Sequence, residues 1–431
     1  MARYEAPSRV VSLGAAWAGN SVNCVPFRCS GVLSHGGVQH AGFYDAAGNV
    51  VVASIADGRP AARVAIATRD RPFDAHKAIS LGLARDGCLH LAYGAHDSAL
   101  MVARTPAPGL AGGIPEPAPL AGAFAAAATY PAFLSTPASA EPILLFRNGR
   151  AAAGEIRTMR YDGAAGLWRD DPVALISGLA AGGWQAGPYL NTPAPGRDGR
   201  VTLFVVWRLP PEATGAGAVC NSGIDCVVAR DDLRRLATAG GIELALPVTP
   251  ATAERVVAVP LGANLMNQAS AAVRADGAPM VATWWNDEDG VPQYRLGWRE
   301  GGTWRTALAS RFATRFRLDG GGTLPLPHSR PELLLDADGT AHLLFRSREW
   351  DGRLVATSLA PPDYGLSGAR HRILVDEDLG FYEPVLDRRG WEAGDLTLHV
   401  QWCHQETGGD RLGIMIEAEA RLMSWPRGRL R

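Results

Sequence analysis

Two histidines, His76 and His96, close off the two ends of one stretch, which runs Phe73-Asp-Ala-His-Lys-Ala-Ile-Ser-Leu-Gly-Leu-Ala-Arg-Asp-Gly-Cys-Leu-His-Leu-Ala-Tyr-Gly-Ala-His96. A tyrosine, Tyr130, and an arginine, Arg147, flank the next apolar stretch in the same way. Imidazole exchanges a proton near neutral pH, a phenol can donate one, and a guanidinium neutralises a carboxylate. These are the parts that β-elimination of a 4-linked uronate requires. A cation neutralises the carboxylate and acidifies the C5 proton, a base removes that proton, and an acid protonates the departing O4. Glycoside hydrolysis instead draws on two carboxylates flanking the scissile bond. Only Glu383, with Asp74 and Asp97 nearby, offers itself for that.

Such residues work only if something brings them together. The stretch ending in His76 and His96 reads as a β-hairpin: an apolar run, a turn at Arg85-Asp-Gly87, and a second apolar run. A tight turn brings the outer ends of its two strands side by side, so both imidazoles fall on one rim. The same plan recurs along the chain. Hairpins are expected at Gln39–Ser54, Lys77–Tyr93, Tyr130–Arg147, Tyr189–Arg208, Gln268–Trp285, Arg330–Arg346 and Glu383–Trp402. Their turns include Asp45-Ala-Ala-Gly48, Thr136-Pro-Ala-Ser139, Gly196-Arg-Asp-Gly199, Ala275-Asp-Gly277, Asp336-Ala-Asp-Gly339 and Trp391-Glu-Ala-Gly394. A third strand-like run follows most of them, as in Ile156–Tyr161, Cys226–Arg230 and Tyr294–Trp298. Two of these end in worn Asp-box turns, Tyr161-Asp-Gly-Ala-Ala-Gly-Leu-Trp168 and Trp298-Arg-Glu-Gly-Gly-Thr-Trp304. Seven units of three to four antiparallel strands imply an all-β, seven-bladed β-propeller forming a single domain over residues 1–431. The competing arrangement is a β-sandwich with a second β domain. Long loops over Thr105–Ala128 and 209–223 are expected to shape the mouth of a site.

In a propeller, residues at hairpin starts and ends converge on the central channel. Reading them off gives Gln39 and His40; His76, Lys77 and His96; Tyr130 and Arg147; Tyr189, Asn191 and Arg208; Asn267 and Gln268; Arg330 and Arg346; Tyr382 and Glu383. Four arginines, three histidines and three tyrosines face a single carboxylate, a composition that suits an anionic ligand. Polar residues at strand ends are common, and each alone reads as structural or solvated. Convergence carries the functional reading. A hydrolase on the same scaffold would use His40 or Glu383, and a non-catalytic glycan-binding propeller is the alternative from another class.

The totals agree. The chain has 431 residues with a formal net charge of −1, and no basic cluster points to nucleic acid. Gly (50) and Pro (30) are plentiful, which favours short strands and turns over long helices. No apolar run is long enough for a membrane helix. The segment Met1-Ala-Arg-Tyr-Glu-Ala-Pro-Ser-Arg9 has no signal-peptide pattern, so the expectation is a cytoplasmic protein or one whose leader has been removed. A monomer is expected. Cysteines at 24, 29, 88, 220, 226 and 403 show no CxxC and no zinc-finger spacing. Buried free thiols are expected of them, with a Cys220–Cys226 bridge as the alternative. The chemistry needs no cofactor; a structural zinc or calcium ion is the one metal to consider.

Several segments together resemble the BNR-repeat-like propellers that include the ulvan lyases, a group of seven-bladed polysaccharide lyases. They are Trp17-Ala-Gly-Asn-Ser-Val-Asn23, Asp74-Ala-His-Lys-Ala-Ile-Ser80 with His96, Thr129-Tyr-Pro131, Phe146-Arg-Asn-Gly149, Ser329-Arg-Pro331 and Tyr382-Glu-Pro384. The resemblance runs over about residues 11 to 420. It implies a lyase acting on glucuronate or iduronate in a rhamnose-containing polysaccharide. By this resemblance Arg147 neutralises the carboxylate, His76 and Tyr130 share the base and acid roles, and His96 helps to bind or neutralise. Lys77, Tyr189, Asn191, Arg208, Asn267, Gln268, Arg330, Arg346, Glu383, Gln39 and His40 are then substrate-binding candidates. Some members hold a structural zinc with His and Cys; Cys220 and Cys226 lie in the corresponding region without a matching His. The segment after Arg147, Arg150-Ala-Ala-Ala-Gly154, is shorter than the Gly/Ser-rich one in relatives.

Overall fold

The computed structural model describes residues 2–25, 30–68, 71–136, 139–210, 219–319, 321–406 and 414–431. Pro137 and Ala138 of one expected turn, Cys29, and residues 211–218 lie outside the described residues.

Among the described residues, seven antiparallel sheets of four or more strands follow one another along the chain, with one additional two-stranded ribbon. Blade one is Val32–His35, Val38–Tyr44, Val50–Ala56 and Arg59–Ile66; blade two begins with Ser80–Leu83 and Leu89–Tyr93. Blade three begins with Ala128–Leu134 and Ile143–Arg150, blade four with Gly187–Leu190 and Val201–Arg208. Blade five begins with Ser270–Val273 and Pro279–Asn286, and blade six with Glu332–Leu335 and Ala341–Arg346. Blade seven is built from both ends of the chain: Val385–Leu386, Asp395–Val400 and Glu417–Pro426 are completed by Arg9–Trp17, which runs antiparallel to Glu417–Pro426. Pairing the first long strand with the last closes the ring. Closure leaves no open edge between first and last blade. Arg3–Tyr4 also adds in parallel to the outer strand of blade six.

The strands carry apolar residues on both faces because each blade is sandwiched between two neighbours. Blade three shows the alternation. Ile143 and Leu145 join the cluster shared with blade four, whereas Leu144 and Phe146 join the cluster shared with blade two. The other clusters lie likewise between blades one and two, four and five, five and six, six and seven, and seven and one. Stability therefore resides between blades, and each blade contributes two apolar faces.

The expected hairpins match the inner strands in six blades. Blade one differs: its innermost strand is the short Val32–His35, which turns at Gly36-Gly37 into Val38–Tyr44. The Gln39–Ser54 hairpin is the second and third strand, one strand out from the axis. Val32-Leu-Ser-His35, with two apolar residues and no Asp in the turn after it, did not stand out beside the longer apolar runs that follow it. In blade seven the expected Trp391–Gly394 turn is the end of a short α-helix, Arg388–Ala393, capped by Asp387 and closed by Gly394 at φ +113°. Cys24, Cys88, Cys220, Cys226 and Cys403 are buried free thiols, so Cys220 and Cys226 are not bridged. No helix among the described residues is long and apolar enough to cross a membrane.

Candidate active site

Inner strands begin, and second strands end, on one face of the disc. There a cavity of about 160 Å³ is lined by His76, His96, Asp97, Tyr130, Arg147, Tyr189, Arg208, Asn267, Gln268 and Arg330. Ala151, Val219, Met266, Leu318 and residues between Gly321 and Leu326 also line it. A larger cavity of about 800 Å³ opens at the opposite end of the channel. It is lined by residues of the hairpin turns and inner strands and includes neither His76 nor His96 and no tyrosine. The smaller cavity gathers His76, His96, Tyr130, Tyr189 and Arg147.

His76 and His96 stack, with ring centroids 4.1 Å apart and planes 17° from parallel. Asp74 holds both from beneath: one carboxylate oxygen accepts from Nδ1 of His76 at 2.8 Å, and the other is bonded to Nδ1 of His96. Burial would raise the Asp74 carboxyl pKa, but the hydrogen bonds and charges of the two imidazoles hold it well below the usual carboxylate range. Tyr130 follows, its ring centroid 5.8 Å from that of His76. It sits at a break in register between Thr129 and Ala132, with φ +58°, where a strand residue would not ordinarily be. Asp97 and Gln268 share this left-handed geometry at φ +47° and +60°. Three wall residues thus hold backbone conformations that cost about 1–3 kcal/mol each, a pattern that concentrates at functional sites.

Arg147 is 2% exposed and lies beneath the cavity. Its guanidinium carbon is 5.0 Å from the Tyr130 ring centroid and 5.2 Å from that of Tyr189. Nη2 donates to Asp97 at 3.2 Å, while Nε and Nη1 are buried with no hydrogen-bond partner. Burial opposes its charge, but Tyr189, Tyr130 and Asp97 raise its pKa, so it stays protonated. Tyr130 is pushed above the usual phenol range, first by burial and then by Tyr189, against the pull of Arg147, Arg208 and Arg330. At neutral pH it therefore carries its proton. Arg208 lies 4.6 Å from the centre of the Tyr189 ring and donates to Asn221 and Asn267. Arg330 donates to Gln268 at 2.9 Å and is paired with Glu383.

The remaining sequence candidates stand elsewhere. Gln39 and His40 lie beside the Gly36-Gly37 turn, at the far end of blade one, because that blade's inner hairpin starts one strand earlier. Gln39 there donates to Thr397 and accepts from Arg9, and His40 Nδ1 bonds Ser54. Arg346 is fully buried and donates to the carbonyls of Leu326, Pro327 and Tyr382. Glu383 stands behind Arg330, both of its oxygens taken by the Arg330 side chain and backbone N–H. Lys77 and Asn191 do not line the cavity. The Lys77 carbonyl accepts from the Tyr44 hydroxyl, and Asn191 is buried past the end of its strand. Three groups escaped the reading of strand ends: Asp74, which lies under the histidines; Asp97, which pairs with Arg147; and Leu318 with the residues from Gly321 to Leu326. The Gly321-Gly322 pair was the available signal for the last.

A family model described as BNR repeat-containing family member matches residues 38–311. The chain belongs to that family. Among solved structures, this BNR repeat-containing chain is similar to one described as a new family of polysaccharide lyase, PL25 ulvan lyase, at 13% identity, 96% of each chain and a TM-score of 0.69. It is similar to the same lyase bound to -[GlcA(1-4)Rha3S]- at 12% identity, 96% of each chain and a TM-score of 0.67. The BP39L lectin from Burkholderia pseudomallei matches at 10% identity, 98% of this chain and 97% of that one, with a TM-score of 0.51. At these identities the likeness shows the propeller fold. No curated protein matches the chain by sequence.

The residues can also be tested against a metal. Cys220 and Cys226 do not fit a structural zinc: neither belongs to any group of three ligating side chains among the described residues, and burial pushes the Cys226 thiol well above its usual range. Asp74, His76 and His96 are the one such group among the described residues. Their mutual hydrogen bonds already occupy the atoms nearest one another.

Proposed function

We propose that this protein is a polysaccharide lyase that cleaves a 4-linked uronic acid by β-elimination, with glucuronate or iduronate next to rhamnose as the substrate class. The observation that carries this reading is Arg147. A buried guanidinium whose Nε and Nη1 have no hydrogen-bond partner is costly, and a uronate carboxylate in the cavity that Arg147 lines would offset its charge. Neutralised in this way, the uronate gives up its C5 proton more readily. Nε2 of His76 takes that proton. The C5–H electron pair forms the C4=C5 double bond, the C4–O4 bond breaks, and the Tyr130 hydroxyl, protonated at neutral pH, gives its proton to O4. His96 and Arg208 hold the sugar on either side. Transfer of the proton from His76 back to Tyr130 through solvent restores the site.

The hydrolytic alternative lacks parts. Asp97 is the only carboxylate lining the cavity among the described residues, and Glu383 is engaged by Arg330. Likeness to the polysaccharide lyase supports elimination, while likeness to the lectin keeps simple binding as the outcome to test against. The experiment is incubation with a panel of uronate polysaccharides, following the ultraviolet absorbance of the unsaturated product. Rising absorbance is expected. New reducing ends without absorbance would replace this reading by hydrolysis. Glycan retention with neither would replace it by binding.

A further inference from the structure

The elimination above uses Nε2 of His76 and places His96 beside the sugar, and leaves open what fixes Nδ1 of each ring. Asp74 does not touch the cavity, yet each of its carboxylate oxygens is bonded to one imidazole of the stacked pair. A carboxylate can only accept hydrogen bonds. Both Nδ1 atoms must therefore carry hydrogen, and any proton exchanged with a ligand goes through Nε2.

We infer that Asp74 is the positioning residue of this site, setting the Nδ1–H tautomer of His76 and His96 together so that both present Nε2 to the substrate. This rests on the reading of the cavity as an elimination site, but the tautomers can be measured without any substrate. The competing role is structural. The Asp74 oxygen that meets His76 Nδ1 also accepts from the His76 backbone N–H at 2.9 Å, an Asx turn that shapes the start of blade two.

Asp74→Asn separates these roles. Asparagine makes the same Asx turn, with its amide oxygen toward the His76 backbone N–H and Nδ1. Its NH2 group then faces His96, whose Nδ1 must become an acceptor with the hydrogen on Nε2. The turn survives and one tautomer is reversed. Nitrogen-15 NMR of the full chain labelled at histidine, with His76→Gln and His96→Gln for assignment, should show His96 moving from Nδ1–H to Nε2–H in Asp74→Asn while His76 stays. The melting temperature should be unchanged. On a uronate polysaccharide kcat should fall about a hundredfold or more with a smaller change in KM, as happens when a carboxylate that orients a histidine is removed.

An unaltered His96 tautomer in Asp74→Asn would overturn the inference. So would movement of both histidine signals when the parent protein is treated with a chelator, since that would make the trio a metal site. If the tautomer reverses as expected but the parent eliminates no uronate, the positioning role stands and the proposed function falls.

Discussion

Blades three and six carry the same tetrapeptide at the same place. Leu343-Leu-Phe-Arg346 ends the second strand of blade six, and Leu144-Leu-Phe-Arg147 lies toward the same end of the second strand of blade three, which runs on to Arg150. In both, alternation turns the arginine toward the next blade: Arg147 shares a face with Leu145, which meets blade four, and Arg346 with Leu344, which meets blade seven. What waits there differs. Blade seven offers the Tyr382 carbonyl, and the segment entering blade six adds those of Leu326 and Pro327, so Arg346 is tied to backbone. Blade four offers the ring of Tyr189, and Arg147 keeps two buried nitrogens without a partner. The same local sequence thus becomes a structural tie in one blade and a candidate ligand site in the other, and the neighbour decides which.

The largest expected effects test this contrast directly. Arg147→Ala should reduce elimination by about a thousandfold or more, as for loss of a group that stabilises charge in a transition state. It should leave the urea midpoint nearly unchanged, because few bonds within the protein are lost. Arg346→Ala should do the reverse. It orphans three buried carbonyls and should destabilise the protein by about 3 kcal/mol or more, with kcat of the folded fraction preserved. Equal losses of stability in the two variants would erase the distinction between the blades.

A smaller effect is expected at the tyrosine wall beside Arg147; the ring beside Arg346 is that of Phe381, which has no hydroxyl. Tyr130→Phe keeps the ring beside the guanidinium and removes only the hydroxyl. Turnover should drop by about a hundredfold or more, the scale of a lost general acid, with substrate binding retained in a direct titration. Unchanged turnover would take the proton-donor role from Tyr130 and leave it as a wall residue.

Much of this was legible in the chain. Asp- and Gly-containing turns between apolar runs give the blades, and strand ends give most of the cavity lining. The failures have physical reasons. Arg147 and Arg346 are alike locally, and only the adjoining blade separates them. Blade one's inner strand, Val32-Leu-Ser-His35, has only two apolar residues and no Asp in its turn, and missing it put Gln39 and His40 at the wrong end of the channel. Pairing of Arg9–Trp17 with Glu417–Pro426 joins segments hundreds of residues apart, which no local pattern encodes. Asp74 was visible as a residue near the rim, but a carboxylate beneath two rings is a feature of tertiary structure.

His40 offers the finest test of the difference between the open end and the tied one. Like His76 it bonds through Nδ1, but to the Ser54 hydroxyl in place of a carboxylate, and it is 3% exposed. Burial, with a contribution from His35, lowers its pKa from 6.5 to about 4. In the unfolded chain His40 takes up a proton as pH falls through 6.5, while in the folded protein it resists until about 4. Stability is therefore full above pH 6.5, declines between 6.5 and 4, and loses nothing further from this group below that; at its largest the loss is roughly 3 kcal/mol. His328, lowered to about 4 by burial, adds a second loss of the same sign. His40→Gln should consequently change little at pH 7.5 yet flatten the fall in urea midpoint between pH 6.5 and 4, leaving the share due to His328 and to His90 and His371, which burial also lowers. An unaltered slope would mean that His40 is as accessible to protons as a surface histidine.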